Sequence, residues 1–462
     1  VRGLRLGLLA VLGALAAVPA ARAETAMGFW DCVERAVKSH PLAASGAWRV
    51  EQAARVVDET GTAFRPQLKF SGNYSVASYV PEVNFPGRNV RIGDHDDLSL
   101  VVQADYLLYD WGRRRAALEA DRSQLEAAGC SLGSLRQDLA YGAGTAFLAL
   151  QGAASERRVA ETSLATAQAH LKDLQAIYDT GRLTWDEVLN VQVRVDEAQV
   201  RLNSAGYRVQ TARAELLRSL GLAMDDMQAF ADTAEGVPAP SADSYALESV
   251  LAARPDLAVY GVQAAALDSR STAIAAEDKP TLSLFANGTA AQPGIDQFRN
   301  EFIQYARAGV ALNWEFWDWH RKDYRLAQNE SRKQALLAEG SDLAGRIALE
   351  LERSRLQERE TADRLDLTAK ALESATEHFR LLGARFEQGL ATNTEYLDSE
   401  NQLTVSRLNR VHAWIELELA RWRLAYVSGS LYKQIRSRWP EVELHPVSGP
   451  GVSHVTEYNQ GR

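Results

Sequence analysis

The chain states one pattern twice, and that repetition limits its fold more than any other feature. His40-Pro41 recurs as Arg254-Pro255, and Phe64-Arg65-Pro66-Gln67-Leu68 recurs as Asp278-Lys279-Pro280-Thr281-Leu282. Both pairs of prolines lie 214 residues apart (41 to 255, 66 to 280). Farther on, Tyr109-Asp110-Trp111 recurs as Trp317-Asp318-Trp319 and Thr180-Gly181 as Gln388-Gly389, now 208 residues apart (109 to 317, 181 to 389). One net deletion of six residues between Pro280 and Trp317 accounts for the change. A period near two hundred residues is far too long for a solenoid unit. It reads as a duplicated domain, with a first copy over 24–235 and a second over 245–435. Each copy runs helix, strand, strand, long helix, helix.

Apolar residues make up 46% of the chain and charged residues 24%, a globular balance. The net charge of −9, with no compensating basic stretch, argues against nucleic-acid binding. The first residues read as a secretory leader: Arg2 and Arg5, an apolar run from Leu6 to Val18, then Ala21-Arg22-Ala23 as a small-x-small cleavage site. Residues 1–23 are therefore set apart from the mature fold. No cysteine stands at the expected cut, so no lipid anchor is expected there. Cys32 and Cys130 are the only two cysteines. In an exported protein they are open to two readings, one disulfide or two separate buried thiols. Past the leader no run of about 18 apolar residues exists, so entry into a membrane would have to be as a β-barrel.

Each copy holds two segments of period-two alternation. Leu68, Phe70, Gly72, Tyr74 and Val76 alternate with Gln67, Lys69, Ser71, Asn73 and Ser75. Leu98, Leu100, Val102, Ala104, Tyr106 and Leu108 line one face of the next segment. In the second copy Leu282, Leu284, Ala286 and Gly288 alternate with Ser283, Asn287 and Thr289, although Phe285 breaks the polar side. Ala308, Val310, Leu312, Trp314 and Phe316 follow. Strands of about ten residues suit a tilted membrane crossing. Tyr74, Tyr79, Tyr106, Tyr109, Trp314 and Phe316 sit where interfacial aromatics would. The stretches 77–97 and 290–305 are rich in Gly, Pro, Asp and Asn and read as exposed loops. An ordinary half-buried sheet in a soluble protein has the same pattern. Four strands do not close a membrane barrel, for which about eight is the minimum, so the membrane reading requires several chains to share one.

Apolar residues at spacings of three and four then run for long distances: Leu164, Ala167, Leu171, Leu174 and Tyr178 in the first copy, and Leu365, Thr368, Leu372, Ala375, Phe379, Leu382 and Phe386 in the second. A helix from Arg113 to Thr180 would be about 100 Å long, and its counterpart runs from about His320 to Gln388. Gly181 and Gly389 stop these helices. New seams begin at once, at Val188 in the first copy and, more loosely, at Leu408 in the second. Each copy thus ends in an antiparallel hairpin with a glycine tip. A soluble coiled-coil scaffold explains the heptads but not the strands, the duplication or the leader.

Together these pieces resemble the TolC-type outer-membrane channel proteins of bacteria with two membranes. The resemblance spans about Phe29 to Tyr432. It rests on the x-Pro before each opening helix (Pro41, Pro255), the proline opening a strand (Pro66, Pro280), the Tyr-Asp-Trp-Gly and Trp-Asp-Trp-His junctions, and the glycine tips. It implies a mainly α fold with a small membrane β-barrel contribution and an internal duplication. That fold is a long antiparallel coiled-coil α-barrel across the periplasm plus four strands per chain, closed as a homotrimer with a twelve-stranded barrel in outer-membrane lipid. It also implies a duct for a tripartite efflux pump or a type I secretion system, with a periplasmic adaptor and an inner-membrane transporter as partners. The rival is a periplasmic coiled-coil scaffold without a pore.

In that family two acidic residues six and nine positions after the second tip glycine ring the pore. Those positions here are Glu395 and Asp398, and Glu187 takes the sixth position after Gly181. Rings of negative charge favour cations and can bind a multivalent cation that plugs the pore. An acidic residue near a helix start also has a simpler use, complementing the helix dipole; Asp186 reads that way. The family's basic residue two positions after the second tip glycine is Ala391 here. The nearest basic residue expected is Arg182 at the other tip, so the closing latch is expected to be rewired. Gly181 with Leu183, and Gly389 with Leu390, match the small-apolar tips that meet the adaptor; a tight turn alone would also use glycine. No catalytic, cofactor or metal site is expected: the eight histidines make no HExxH spacing, and no GxSxG or phosphate loop occurs. Residues 440–462 read as a disordered tail with no assigned function.

Overall fold

The computed structural model describes residues 26–231, 246–296 and 301–442. The expected leader falls outside them. The elements are α1 (Phe29–Ser39), α2 (Pro41–Thr62), β1 (Gln67–Val76), β2 (Glu82–Phe85), β3 (Arg88–Arg91), β4 (Asp96–Tyr109), α3 (Arg113–Asp179) and α4 (Trp185–Ser219). They continue with α5 (Leu247–Ala253), α6 (Pro255–Ala275), β5 (Thr281–Gln292), β6 (Ile303–Asn313), α7 (Arg321–Glu387), α8 (Asn393–Val427) and α9 (Ser430–Arg438). The two copies have nearly the same dimensions: α3 and α7 are each 67 residues, and α4 and α8 each 35.

The repeated motifs mark local physics. A residue before proline is driven to extended backbone, which breaks one helix, while proline is well suited to the first position of the next. His40 (ψ 137°) and Arg254 (ψ 112°) are those residues, and α2 and α6 start at Pro41 and Pro255. At the strand-to-helix corners the chain turns through left-handed backbone at Trp111 and Gly112, and at Trp319 and His320. The aspartate of each motif then caps the helix. Asp110 Oδ2 accepts from the Arg114 amide and Asp318 Oδ2 from the Lys322 amide, both at 2.9 Å. Trp111 Nε1 donates to the Pro280 carbonyl at 2.8 Å, tying the corner of the first copy to the second.

The four long strands form one antiparallel sheet in the order β1-β4-β5-β6, leaving β1 and β6 as open edges. Its register aligns the apolar sets: Phe70 with Val102, Ala104 with Ala286, Leu284 with Val310 and Leu282 with Leu312. That face is turned outward and uncovered, Phe70 being 68% exposed and Leu312 67%. Phe285, the break in the polar alternation, lies over Gly309, where an added Cβ would come within 2.8 Å of its ring. The stretch 77–97 differs from the expected plain loop. β2 and β3 pair there as a hairpin, Glu82 opposite Arg91, around Pro86-Gly87. Four-residue strands are too short for period two to stand out. β5 also runs on to Gln292 and β6 begins at Ile303, both inside the expected loop 290–305.

The core lies midway along the long helices. Phe29 of α1 packs edge-on against Phe147 of α3 (5.7 Å) and Trp422 of α8 (5.0 Å). Trp422 is fully buried, donates from Nε1 to the Tyr141 carbonyl at 3.0 Å, and lies flush on Gly144. A bridge between Met27 and Phe230 closes the first copy on itself. Pro440–Val442 form a 3-10 turn, with Trp439 buried and Val442 packed on the core. The disordered tail expected from residue 440 is thus corrected as far as Val442, and 443–462 lie outside the described residues. Cys32 and Cys130 are free thiols. Among the described residues no helix is long and apolar enough to cross a membrane.

Two outcomes test this packing. On Gly144 a Cβ would sit 2.5 Å from the Trp422 indole, while on Gly142 it meets open space. Gly144→Ala is expected to cost about 2 kcal/mol by overpacking, and Gly142→Ala to cost nothing; thermal unfolding of the two variants decides. Burial, then the Asp31 carboxylate, push the Cys32 thiol up to about 12. In the native protein at mildly alkaline pH, iodoacetamide should therefore leave Cys32 unmodified until denaturant is added; mass mapping reads this directly.

Candidate functional site at the hairpin tips

Both long helices leave the same sheet and end, 67 residues later, in a glycine turn. At the second tip the turn is a complete Schellman closure. Gly389 takes φ +72°, its amide bonds the Phe386 carbonyl at 2.9 Å, and the Leu390 amide bonds the Arg385 carbonyl at 2.8 Å. At the first tip Gly181 takes φ +74° and bonds the Tyr178 carbonyl at 2.7 Å, while the Thr180 hydroxyl donates to the Ile177 carbonyl at 2.6 Å. A side chain here would be strained in the left-handed region, so glycine is favoured at both turns. Leu390 is exposed and Leu183 half-buried. Beside Leu183 the exposed Trp185 ring packs on Tyr178 at 5.2 Å, an apolar surface that the tip motif alone does not announce.

Glu395 lies in the first turn of α8 and is engaged. Its Oε2 accepts from the Thr392 amide (2.7 Å) and hydroxyl (3.0 Å), and its own amide donates to Thr392 Oγ1 at 3.2 Å. This is a capping box, satisfying two helix-end donors reciprocally. The Thr392 amide first, then its hydroxyl and the Arg385 charge, hold the Glu395 carboxyl below its usual range, so it is ionised throughout the physiological window. Asp398, one turn on, is exposed and forms no hydrogen bond or ion pair among the described residues. Glu187 is half-buried in the first turn of α4. No bond joins it to Glu395 or Asp398 among the described residues; they belong to separate hairpins.

The basic group of the second tip is Arg385, not Arg182. Arg385 precedes the glycine by four residues, and its Nη2 donates to the Leu390 carbonyl at 3.4 Å. Arg182 instead reaches Thr180 Oγ1 within its own turn, at 3.3 Å. Counting forward from the glycine overlooks Arg385, because the last turn of a helix folds back beside its loop. Sequence reading also passed over His170. It is buried on α3, with Nε2 2.8 Å from Asn393 Oδ1 and its ring stacked on Tyr396 at 4.2 Å.

The family model for outer membrane efflux proteins matches residues 32–222 and 246–430. No curated protein sequence matches the chain. Among solved structures, the outer membrane protein VceC of Vibrio cholerae is 17% identical, with a TM-score of 0.71 over 87% of this chain and 96% of its own. The CmeC outer membrane channel of Campylobacter jejuni is 14% identical, with a TM-score of 0.73 over 90% of this chain and 89% of its own. The open-state MtrE outer membrane channel of Neisseria gonorrhoeae is 15% identical, with a TM-score of 0.71 over 87% and 88%. With both of its halves matched by that model, the chain belongs to the outer membrane efflux protein family, the channels of the bacterial outer membrane whose helices extend into the periplasm.

Proposed function

We propose that three copies of this chain close into one tube, a twelve-stranded barrel in outer-membrane lipid continued by a periplasmic barrel of helices. The tube serves as the exit duct of a tripartite export machine. The observation that carries this reading is the sheet: one face is mostly apolar and largely uncovered, and β1 and β6 each have one edge with no strand beside it. Lipid satisfies that face, and only closure satisfies the edges. The helices support the same assembly. Within one chain α4 packs on α3, α3 on α8 and α8 on α7, so α4 and α7 are the outer members of the wall. Both carry exposed apolar stripes, Val193, Val200 and Tyr207 on α4, and Leu349, Leu356 and Leu367 on α7. Joining α4 of one copy to α7 of the next closes a ring by a heterologous contact. A pore-free periplasmic scaffold leaves the apolar sheet face unexplained.

The hairpin tips form the constriction, with Glu395 and Asp398, and Glu187 of the first hairpin, as rings of negative charge. Gly181, Leu183, Gly389 and Leu390 present the surface for a periplasmic adaptor, which couples the duct to an inner-membrane transporter. The two copies, 24–235 and 245–435, follow an exported leader over 1–23. The chain's task is passage; it performs no chemical step, and the transporter selects the cargo among small molecules and secreted protein.

Extraction tests the assembly: the processed protein should leave the outer membrane only with detergent, and as a trimer. A monomer soluble in plain buffer refutes the tube. The charge rings have their own test in planar bilayers. Glu395→Gln retains an oxygen for the Thr392 amide, so the double variant with Asp398→Asn removes charge while sparing the cap. Half-block by a trivalent cation should then need about tenfold more cation, equivalent to about 1.4 kcal/mol. Unchanged block removes these residues from the constriction.

A further inference from the structure

Lys279 precedes the proline that opens β5, and two tryptophans hold the backbone on either side of it. Trp111, which follows β4, donates from Nε1 to the Pro280 carbonyl at 2.8 Å. Trp314, which follows β6, donates from Nε1 to the Asp278 carbonyl at 2.9 Å. The Lys279 ammonium lies over the Trp111 ring, 5.3 Å from its centroid. Lys279 is exposed, as are Trp111 (46%) and Trp314 (60%). Among the described residues the ammonium makes no hydrogen bond or ion pair. The carboxylates of this corner are engaged elsewhere. Asp278 pairs with Lys322, Glu277 with Arg325 (2.6 Å) and Glu315 with Arg321 (2.6 Å). Asp318 caps the Lys322 amide, and Asp110 holds Arg114 at 3.0 Å. A cation thus stands on an aromatic seat with no anion of its own chain bonded to it.

In the tube proposed above, the seat faces lipid. A bulge between Leu107 and Tyr109 brings Tyr109 into register with Leu282, on the outward apolar face, and the Tyr109 ring packs on Trp111 at 5.1 Å. Trp314 follows Leu312 of that face by two residues and packs on Phe316 at 6.0 Å. At this level the strands end and the helices begin, so the rings mark the periplasmic border of the apolar surface. β4 and β5 are the inner strands of the sheet, so the seat lies away from the edges at which copies would join. Arg65 takes the equivalent place before Pro66 in the first copy, but there the strand is β1, an edge.

We propose that Lys279, seated on Trp111 and flanked by Trp314, binds the phosphate of an anionic phospholipid in the periplasmic leaflet of the outer membrane. The inference rests on the tube reading and names the lipid that its collar selects. Indoles settle at the border of the hydrocarbon with their N–H groups turned to polar partners, here two carbonyls of the chain itself. A lysine beside them lays its stem along apolar surface and puts its ammonium among the phosphates. The cation–π contact holds the ammonium at that level without neutralising it. A zwitterionic headgroup brings its own cation to the site. An anionic one does not, and gains more from Lys279. Free inorganic phosphate has the same charge chemistry but no acyl chains to lie against Trp314 and Phe316.

The test uses the full-length protein in nanodiscs of phosphatidylcholine alone or of phosphatidylcholine mixed with phosphatidylglycerol. Acetylation of Lys279 is read by mass mapping against Lys172, an exposed lysine of α3 far from the sheet. Relative to Lys172, Lys279 should be modified about fivefold more slowly in the mixed discs, the surface attraction of one lysine. Native mass spectrometry of the retained lipid gives a second readout. Lys279→Gln should lose the preference for phosphatidylglycerol by about the same factor, and Lys279→Arg should keep it. Equal modification in the two discs, or a glutamine variant that retains phosphatidylglycerol like the parent, overturns the site. Inorganic phosphate added to the phosphatidylcholine discs should leave Lys279 reactive; protection equal to that by phosphatidylglycerol overturns the lipid as its ligand. Ion flow in planar bilayers is a separate measurement. A protein that shows the lysine protection and passes no ions keeps the lipid site and refutes the duct, whereas a conducting trimer with an unprotected Lys279 does the reverse.

Discussion

Everything in this molecule is subordinate to a sheet that a single copy cannot finish. Its register gathers most of the apolar residues of the four long strands on one side, and the outer edges of β1 and β6 have no strand beside them. In water such a strip invites aggregation; in lipid every backbone polar group must be paired, so the strip must close. The helices take their places from it. Strands β4 and β6 deliver the chain to the same end of the sheet, and the Asp110 and Asp318 caps start α3 and α7 there. Two 67-residue helices launched from one platform reach about 100 Å in one direction. The direction of that span is set at the corners, where a tryptophan turns the backbone and an aspartate caps the helix.

The α3–α8 seam changes character along that length. In its middle it is close-packed: Trp422 lies on Gly144, Ile415 on Gly152, and Phe29 packs edge-on against Trp422. Such packing has one solution and resists bending. Toward the tips the apolar contacts give way to isolated polar pins. Each such bond contributes about 1 kcal/mol net, because water replaces it when it opens. The same pair of helices is thus rigid in its middle and weakly joined near its tips, as expected of regions that open locally.

Much of this was legible before the fold was seen. Period two located three of the four long strands and set the fourth about five residues late, since β6 runs Ile303–Asn313 and Trp314 and Phe316 lie past its end; proline marked the breaks at residues 41 and 255, and glycine marked both tips. The failures have physical causes. The β2–β3 hairpin alternates for only four residues a side, too few to register. The seam of α8 looked loose because α8 is buried on two sides, against α3 and α7, so its apolar residues fall on two stripes instead of one. Phe285 broke the alternation because its partner is Gly309, a pairing visible only across strands. Thr392 and Glu395 spell a capping box in the sequence, yet the charge alone drew notice. His170 meets Asn393 across 223 residues of chain, and no local pattern announces that.

The second tip resolves the apparent lack of a basic latch. Arg385 spends its guanidinium on the Leu390 carbonyl, inside its own hairpin, and Thr392 and Glu395 close the other side of the same turn. The tip is therefore braced within its own turn. In the trimer proposed above, three such tips would bring like charges toward one axis, and their repulsion would push outward at every pH at which Glu395 is ionised. The buried bond between His170 and Asn393, the first residue of α8, ties the same tip back to α3.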